Sequence, residues 1–138
     1  MKDENCIFCK LANGVFPTAK VYEDEDLTVF LDAGPASKGH ALVMPKEHYK
    51  NITEVPADLA GKLTSVAAKV GEAQMKALGA LGFNIIINTN EAAGQTVFHV
   101  HVHVIPRYGN DDMVSWTPHE ADNEANMKIA AEIAGAMK

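Results

Sequence analysis

Long hydrophobic runs are missing from this 138-residue chain. No stretch approaches the ~20 apolar residues that a membrane-spanning helix needs. The first ten residues, MKDENCIFCK, lack the apolar core of a secretion signal. Both absences lead to the expectation of a soluble, cytoplasmic protein with no membrane partner. A basic surplus is missing too: 12 Lys and Arg stand against 18 Asp and Glu, for a net charge of −6. A general nucleic-acid surface would need a positive field, so no nucleic-acid partner is expected, and an anionic ligand would have to be held by local groups. Repeats, low-complexity segments and obvious linkers are absent. The length suits a single domain, 1–138, with a real core. Cysteine is scarce, with Cys6 and Cys9 only, and Trp116 is the one tryptophan. Without a secretion signal, a structural disulfide is not expected.

Histidine, by contrast, is concentrated. Three of the six fall within five residues, in "HVHVHVIPR" (His99 to Arg107). Alternation with valine is the period of a β-strand: Val100, Val102 and Val104 share one face, and His99, His101 and His103 share the other. Pro106 should end the strand, since it has no backbone donor. Three readings of the imidazole face are open: a solvent face, a metal site, or catalysis on an anion. One metal cannot take all three rings from a regular strand. At about 3.3 Å per residue the outer pair is about 13 Å apart, against Zn–N bonds of about 2.1 Å. At least one histidine must do something else.

Elsewhere the pattern suggests a helical turn over Lys10–Asn13, closed by Gly14. Strands are expected at Ala19–Glu23 and Leu27–Asp32 around an acidic turn, and a third at His40–Met44, ended by Pro45. Leu59, Leu63, Val66, Val70 and Leu78 keep helical spacing between Pro56 and Gly79, which suit the two ends of a helix. Phe83–Asn88 reads as a strand and Thr89–Gly94 as a loop. Asn123–Met137 reads as a terminal helix with Ile129, Ala130, Ile133 and Ala134 on one stripe. Together these give an antiparallel α+β domain. The C-x-x-C of Cys6 and Cys9 is open to three readings: a redox pair, two ordinary thiols, or half of a zinc site, for which His48 and His99 are available. A redox pair would want a strand before it, and only five residues precede Cys6. Trp116 could cover a base or a partner subunit, or pack in the core; His119 reads as a solvent residue.

The run His-φ-His-φ-His-φ-φ, preceded by Gly94-Gln95-Thr96, resembles the histidine triad (HIT) family. "CIFCKLANG", "VYEDEDLTVFLDAGPASKGHALVMPKEH" and "NEAAGQTVFHVHVHVIPRYG" are similar in order and spacing to its bacterial Hit-like branch, related to the Hint phosphoramidases. The match covers about residues 5–109, leaving 110–138 as a variable tail with the terminal helix. The resemblance implies a five-stranded antiparallel sheet with one long helix, a short N-terminal helix and a C-terminal helix, and usually a homodimer. It also implies a nucleotide hydrolase that attacks an α-phosphate, on a nucleoside phosphoramidate or a dinucleoside polyphosphate.

By position, His101 takes the nucleophile role. His103 and His40 contact the phosphate, Gln95 and Thr96 line the phosphate and leaving group, Asn88 is a further phosphate-side residue, and Asp32 binds the ribose hydroxyls. Cys6, Cys9, His48 and His99 correspond to the ligands of a structural zinc, and no catalytic metal is implied. Taken alone, Gln95 and Thr96 are turn chemistry, Asp32 a turn acid and Asn88 an edge residue. The chemistry is coherent: a neutral imidazole, unlike hydroxide, is not repelled by a phosphate anion, and at its ordinary pKa much of it is neutral at pH 7. A nucleotide-binding interaction protein with little catalysis is the alternative.

Overall fold

The computed structural model describes residues 2–109 and 115–137. Its elements run α1 (Ile7–Ala12), β1 (Lys20–Glu23), β2 (Leu27–Leu31), β3 (Ala41–Pro45), α2 (Ala57–Leu78), β4 (Gly82–Ile87), β5 (Val102–Arg107) and α3 (Asn123–Ala136). The five strands form one antiparallel sheet in the order β1-β2-β3-β5-β4. The α+β architecture is as expected; several boundaries differ.

Alternation sorts the side chains of the inner strands onto two covered faces. Leu27 and Val29 of β2, Ala41 and Val43 of β3, and Val102 and Val104 of β5 pack against Leu63, Ala67 and Val70 of α2. Phe30, Leu42 and Met44 point the other way and pack with Ala12, Phe8 and Leu11 of α1. Leu42 is the cross-strand partner of His103, so the histidine face lies on the α1 side. It is therefore not a solvent face: His99 is fully buried and His101 nearly so.

α1 begins at Ile7, earlier than Lys10, because the Cys6 sulfur caps it by accepting from the Cys9 N–H at 3.3 Å. Thr28 Oγ1 donates to the Ala12 carbonyl at 2.7 Å and fixes α1 against β2. α2 ends at Gly79, whose φ of +75° is the left-handed stop that glycine allows. Gly71 lets α2 approach β4: a Cβ there would overlap the Phe83 ring.

The ladder of β5 starts at Val102, not at His99. Residues 97–101 form an irregular approach, held by the Val100 N–H to the Tyr49 carbonyl (2.8 Å). β5 also continues through Pro106. By then β3 has stopped pairing, and Pro106 faces only Phe83 of β4, so its missing donor breaks no shared ladder. Pro45 is likewise the last residue of β3, opposite Leu27 of β2. α3 forms on an Asp122 cap, with Ile129 and Ile133 exposed (48% and 59%). Trp116 is exposed (81%) rather than in the core, and His119 is exposed as expected. Residues 110–114 of the tail lie outside the described residues. Among the described residues, no helix is long and apolar enough to cross a membrane.

Candidate functional site

The α1 face carries two clusters built from the same residue type. In the first, one donor atom from each of Cys6, Cys9, His48 and His99 lies within 4.8 Å of the other three. His99 Nε2 is 2.8 Å from the Pro45 carbonyl oxygen, which can only accept. The ring proton is therefore on Nε2, and Nδ1 presents a lone pair. That Nδ1 is 3.4 Å from both sulfurs, and His48 Nδ1 is 3.4 Å from Cys9 Sγ. A tetrahedral ion with Zn–S of about 2.3 Å and Zn–N of about 2.1 Å would place sulfur and nitrogen about 3.6 Å apart, close to what is seen. Backbone N–H groups of Asp3 and Cys9 point at the sulfurs of Cys9 and Cys6. Burial pushes the Cys9 thiol pKa up, so a cation is what would keep it as thiolate. The four residues fit a closed S₂N₂ metal centre, and His99 has the outer hydrogen bond that orients such ligands.

The second cluster is His101, His103, His40 and Asp32. His101 Nδ1 donates to the His99 carbonyl at 2.7 Å, which leaves Nε2 with the lone pair. Burial lowers the pKa of His101 and keeps the ring neutral. A relay fixes the other two rings. The Ala36 N–H donates to His40 Nδ1 (3.0 Å), so the His40 proton sits on Nε2 and points to His103 Nδ1, also at 3.0 Å. His103 then carries its own proton on Nε2 as a donor. Asp32 Oδ2 is 3.6 Å from His40 Nε2. Burial lowers His40 and takes His103 down to about 4, against a weaker opposing pull from Asp32.

A cavity of about 520 Å³ opens over this cluster. Its lining combines the polar side chains of His101, His103, Asp32 and Thr96 with the apolar ones of Phe8, Leu11, Phe30 and Leu42. The Phe8 ring stands edge-on to His101, with centroids 4.9 Å apart. Such a cleft suits a ligand with a flat apolar body and an anionic end.

Gln95 and Asn88 sit differently. The Gln95 amide is bonded wholly to the main chain: Oε1 accepts from the Asn90 N–H (2.8 Å), and Nε2 donates to the carbonyls of Lys50 (2.7 Å) and Val97 (3.1 Å). It holds the loop that presents Thr96, a loop in which Asn90 takes a φ of +71°. Asn88 is half-buried beside Gly94. The structure thus brings His101, His103, Asp32 and Thr96 to the cavity, places His40 one hydrogen bond behind, and puts Gln95 and Asn88 in the supporting loop. Sequence reasoning missed Phe8 and the acceptors Pro45 and His99. Phe8 lies inside C-x-x-C, a position that ties it to the metal-type cluster; main-chain acceptors carry no sequence signal.

Comparison with known proteins agrees with this geometry. A model of the HIT domain matches residues 13–110. The chain is 45% identical to the protein hit of Bacillus subtilis, over 86% of this chain and 83% of that one. It is 40% identical to an Arabidopsis thaliana adenylylsulfatase over 78% of this chain, which spans 54% of the plant protein. The fold superposes on a Streptococcus mutans crystal structure with a TM-score of 0.94, at 43% identity, covering 99% of this chain and 88% of the other. A Zn-bound histidine triad protein of Mycobacterium smegmatis gives a TM-score of 0.75 at 35% identity, covering 96% and 95%. With the triad, its cavity and these matches pointing the same way, the chain belongs to the HIT family, in its bacterial Hit-like branch.

Proposed function

We propose that this protein is a nucleotide hydrolase that attacks the α-phosphate of a purine nucleotide conjugate through His101. The observation that carries the proposal is the His101 Nδ1–H bond to the His99 carbonyl, which aims a neutral Nε2 lone pair from the wall of the cavity. In the first step Nε2 forms a bond to phosphorus, and the bond from phosphorus to the leaving group breaks with its electron pair. The product is a nucleotidyl-histidine. Water then attacks the same phosphorus and releases the nucleoside monophosphate and the free ring. His103 Nε2–H donates to a non-bridging oxygen as charge builds there. His40 and Gln95 hold, respectively, the donor tautomer of His103 and the loop carrying Thr96. Thr96 relays a proton from solvent to a leaving group that needs one, taking up one proton as it gives the other. Asp32 takes the ribose hydroxyls, and the apolar side chains of the lining take the base. The Arabidopsis relative, an adenylylsulfatase, supports the reaction class.

The test is chemical trapping. Acid-quenched enzyme after mixing with adenosine 5′-phosphoramidate should carry the mass of one adenylyl group, and His101→Ala should carry none. Nucleotide binding without turnover or adduct would instead leave an interaction protein.

We further propose that Cys6, Cys9, His48 and His99 hold one zinc per chain. Four protein donors close its shell, so the ion supplies stability and placement rather than a bound water. Residues 1–138 form a single domain working as a cytoplasmic homodimer in this proposal, and light scattering at micromolar concentration would test the dimer.

A further inference from the structure

The buried face of α2 steps through Leu63, Ala67, Val70 and Gly71 to Gln74. The last of these is a primary amide in an otherwise apolar stripe, and it is only 5% exposed. Both of its protons are used: Gln74 Nε2 donates to the Gly39 carbonyl and to the Val104 carbonyl, each at 3.0 Å. Its Oε1 is buried and has no hydrogen-bond partner among the described residues. For stability the exchange is close to even, since two ordinary hydrogen bonds are gained and one buried acceptor is stranded. What the two carbonyls share is the triad on the opposite face of the sheet. The Gly39 carbonyl belongs to the peptide unit that leads into His40, and Val104 follows His103. The β3–β5 register ends at the pair Ala41–Val104, so His40 lies one residue past the last rung and His103 one residue inside it. Their rings nonetheless meet, Nε2 to Nδ1, at 3.0 Å. The Gln74 amide bridges the place where the ladder stops. Ser37 Oγ, which donates to the Pro106 carbonyl at 2.6 Å, is a second tie further along. Gly39 makes the close approach possible: its φ is +92°, and a Cβ there would overlap the Leu78 side chain of α2.

We propose that Gln74 is a positioning residue for the triad: from the α2 side of the sheet, its amide ties the Gly39–His40 peptide to β5 and holds His40 where its Nε2–H meets His103 Nδ1. This rests on the hydrolase reading above. His103 presents a donor to the phosphate only while its Nδ1 accepts from His40, which keeps its own proton on Nε2. When the His40 backbone drifts, that bond weakens and His103 divides between its two neutral tautomers. One of them turns a lone pair, not a donor, toward the non-bridging oxygen and withdraws the stabilisation. Gln74 therefore acts on the reaction through two rings that it never touches.

The test is Gln74→Met, which nearly keeps the volume and removes both donors. Nitrogen NMR of the folded protein reads the tautomers directly. In the wild type, His40 and His103 should each show a protonated Nε2 and a bare Nδ1; in the variant the two nitrogen shifts of His103 should move toward each other. With adenosine 5′-phosphoramidate, kcat should fall about tenfold while KM changes by less than about twofold. On a His40→Ala background the same substitution should lower kcat by less than about twofold, because the ring it acts through is gone. Val70→Ala, a cavity in the same stripe, controls for lost stability: it should lower the melting temperature at least as much and leave the shifts and kcat near those of the wild type. If Gln74→Met does not fold, Gln74→Asn, whose amide is one methylene short of both carbonyls, takes its place with the same expectations. Averaged His103 nitrogens in the wild type, unmoved shifts or kcat in the variant, an equal loss on the His40→Ala background, or the same changes from Val70→Ala would each overturn the proposal. A wild type without turnover would bring down the hydrolase reading, and the nitrogen shifts would still decide whether Gln74 holds the pair.

Discussion

His99 and His101 are two residues apart, both buried, and committed to opposite chemistries. His99 gives its Nε2 proton to a carbonyl and turns Nδ1 to two sulfurs. His101 gives its Nδ1 proton to a carbonyl and turns Nε2 to the cavity side. In each case the hydrogen bond that engages one nitrogen decides what the other can do. The difference teaches that a histidine's role is set by its main-chain acceptor as much as by what stands in front of it. Phe8 lies between the two, with ring centroids 6.2 Å from His99 and 4.9 Å from His101.

The largest break in this comparison should come from His101→Ala, which removes the proposed nucleophile. Turnover should fall about 10³-fold or more, while metal content and melting temperature stay near those of the wild type. Turnover near the wild-type rate would end the covalent mechanism. His103→Ala removes a donor and should lower kcat and kcat/KM together by about 10²–10³, with His101 adduct formation slowed rather than lost. An effect on KM alone would reassign it to ground-state binding.

On the other side, Cys9→Ala should strip the metal. It should also lower stability by about 3 kcal/mol, less than the full worth of a structural zinc because a core remains, or about 10 °C in melting temperature. Elemental analysis and calorimetry on the same sample check this, and an unchanged melting temperature in metal-free protein would remove the structural role. pH sharpens the comparison further. His103 is depressed to about 4, below its unfolded value of about 6.5. Between those values the unfolded chain binds a proton that the folded chain refuses, so its contribution is complete above about pH 6.5 and is lost as pH falls toward 4. The activity profile should likewise stay flat below the pKa of free imidazole. A descending limb centred at 6.5 or above would contradict neutral rings held by burial. The smallest effect is expected for Phe8→Leu. Losing the ring edge on His101 should lower kcat/KM by tenfold at most, with metal retained.

Much of this was legible in the chain, for physical reasons. Alternation at residues 99–104 separates valines from histidines whatever the exact strand limits, and the spacing argument already forbade a single metal for all three rings. The start of α1 was hidden because a cysteine sulfur does the work usually read from Ser, Thr, Asp or Asn. Both prolines were read as stops because the sequence does not say on which side a strand is paired. Gln95 was placed at the phosphate, although its amide faces only backbone; a loop's internal bonds cannot be read from its composition. Burial of the histidine face depended on α1 arriving from 90 residues away.

The His99 carbonyl has one more consequence, for what genetics can see. Every amino acid carries that oxygen, so no substitution at position 99 deletes the acceptor that aims His101. A scan of side chains would record position 99 only through its ring and its place in the Cys6, Cys9 and His48 cluster, and would count His101 as self-sufficient. Only a change that moves the main chain there, such as disruption of the Cys6, Cys9, His48 and His99 cluster, would reveal that one residue serves both clusters.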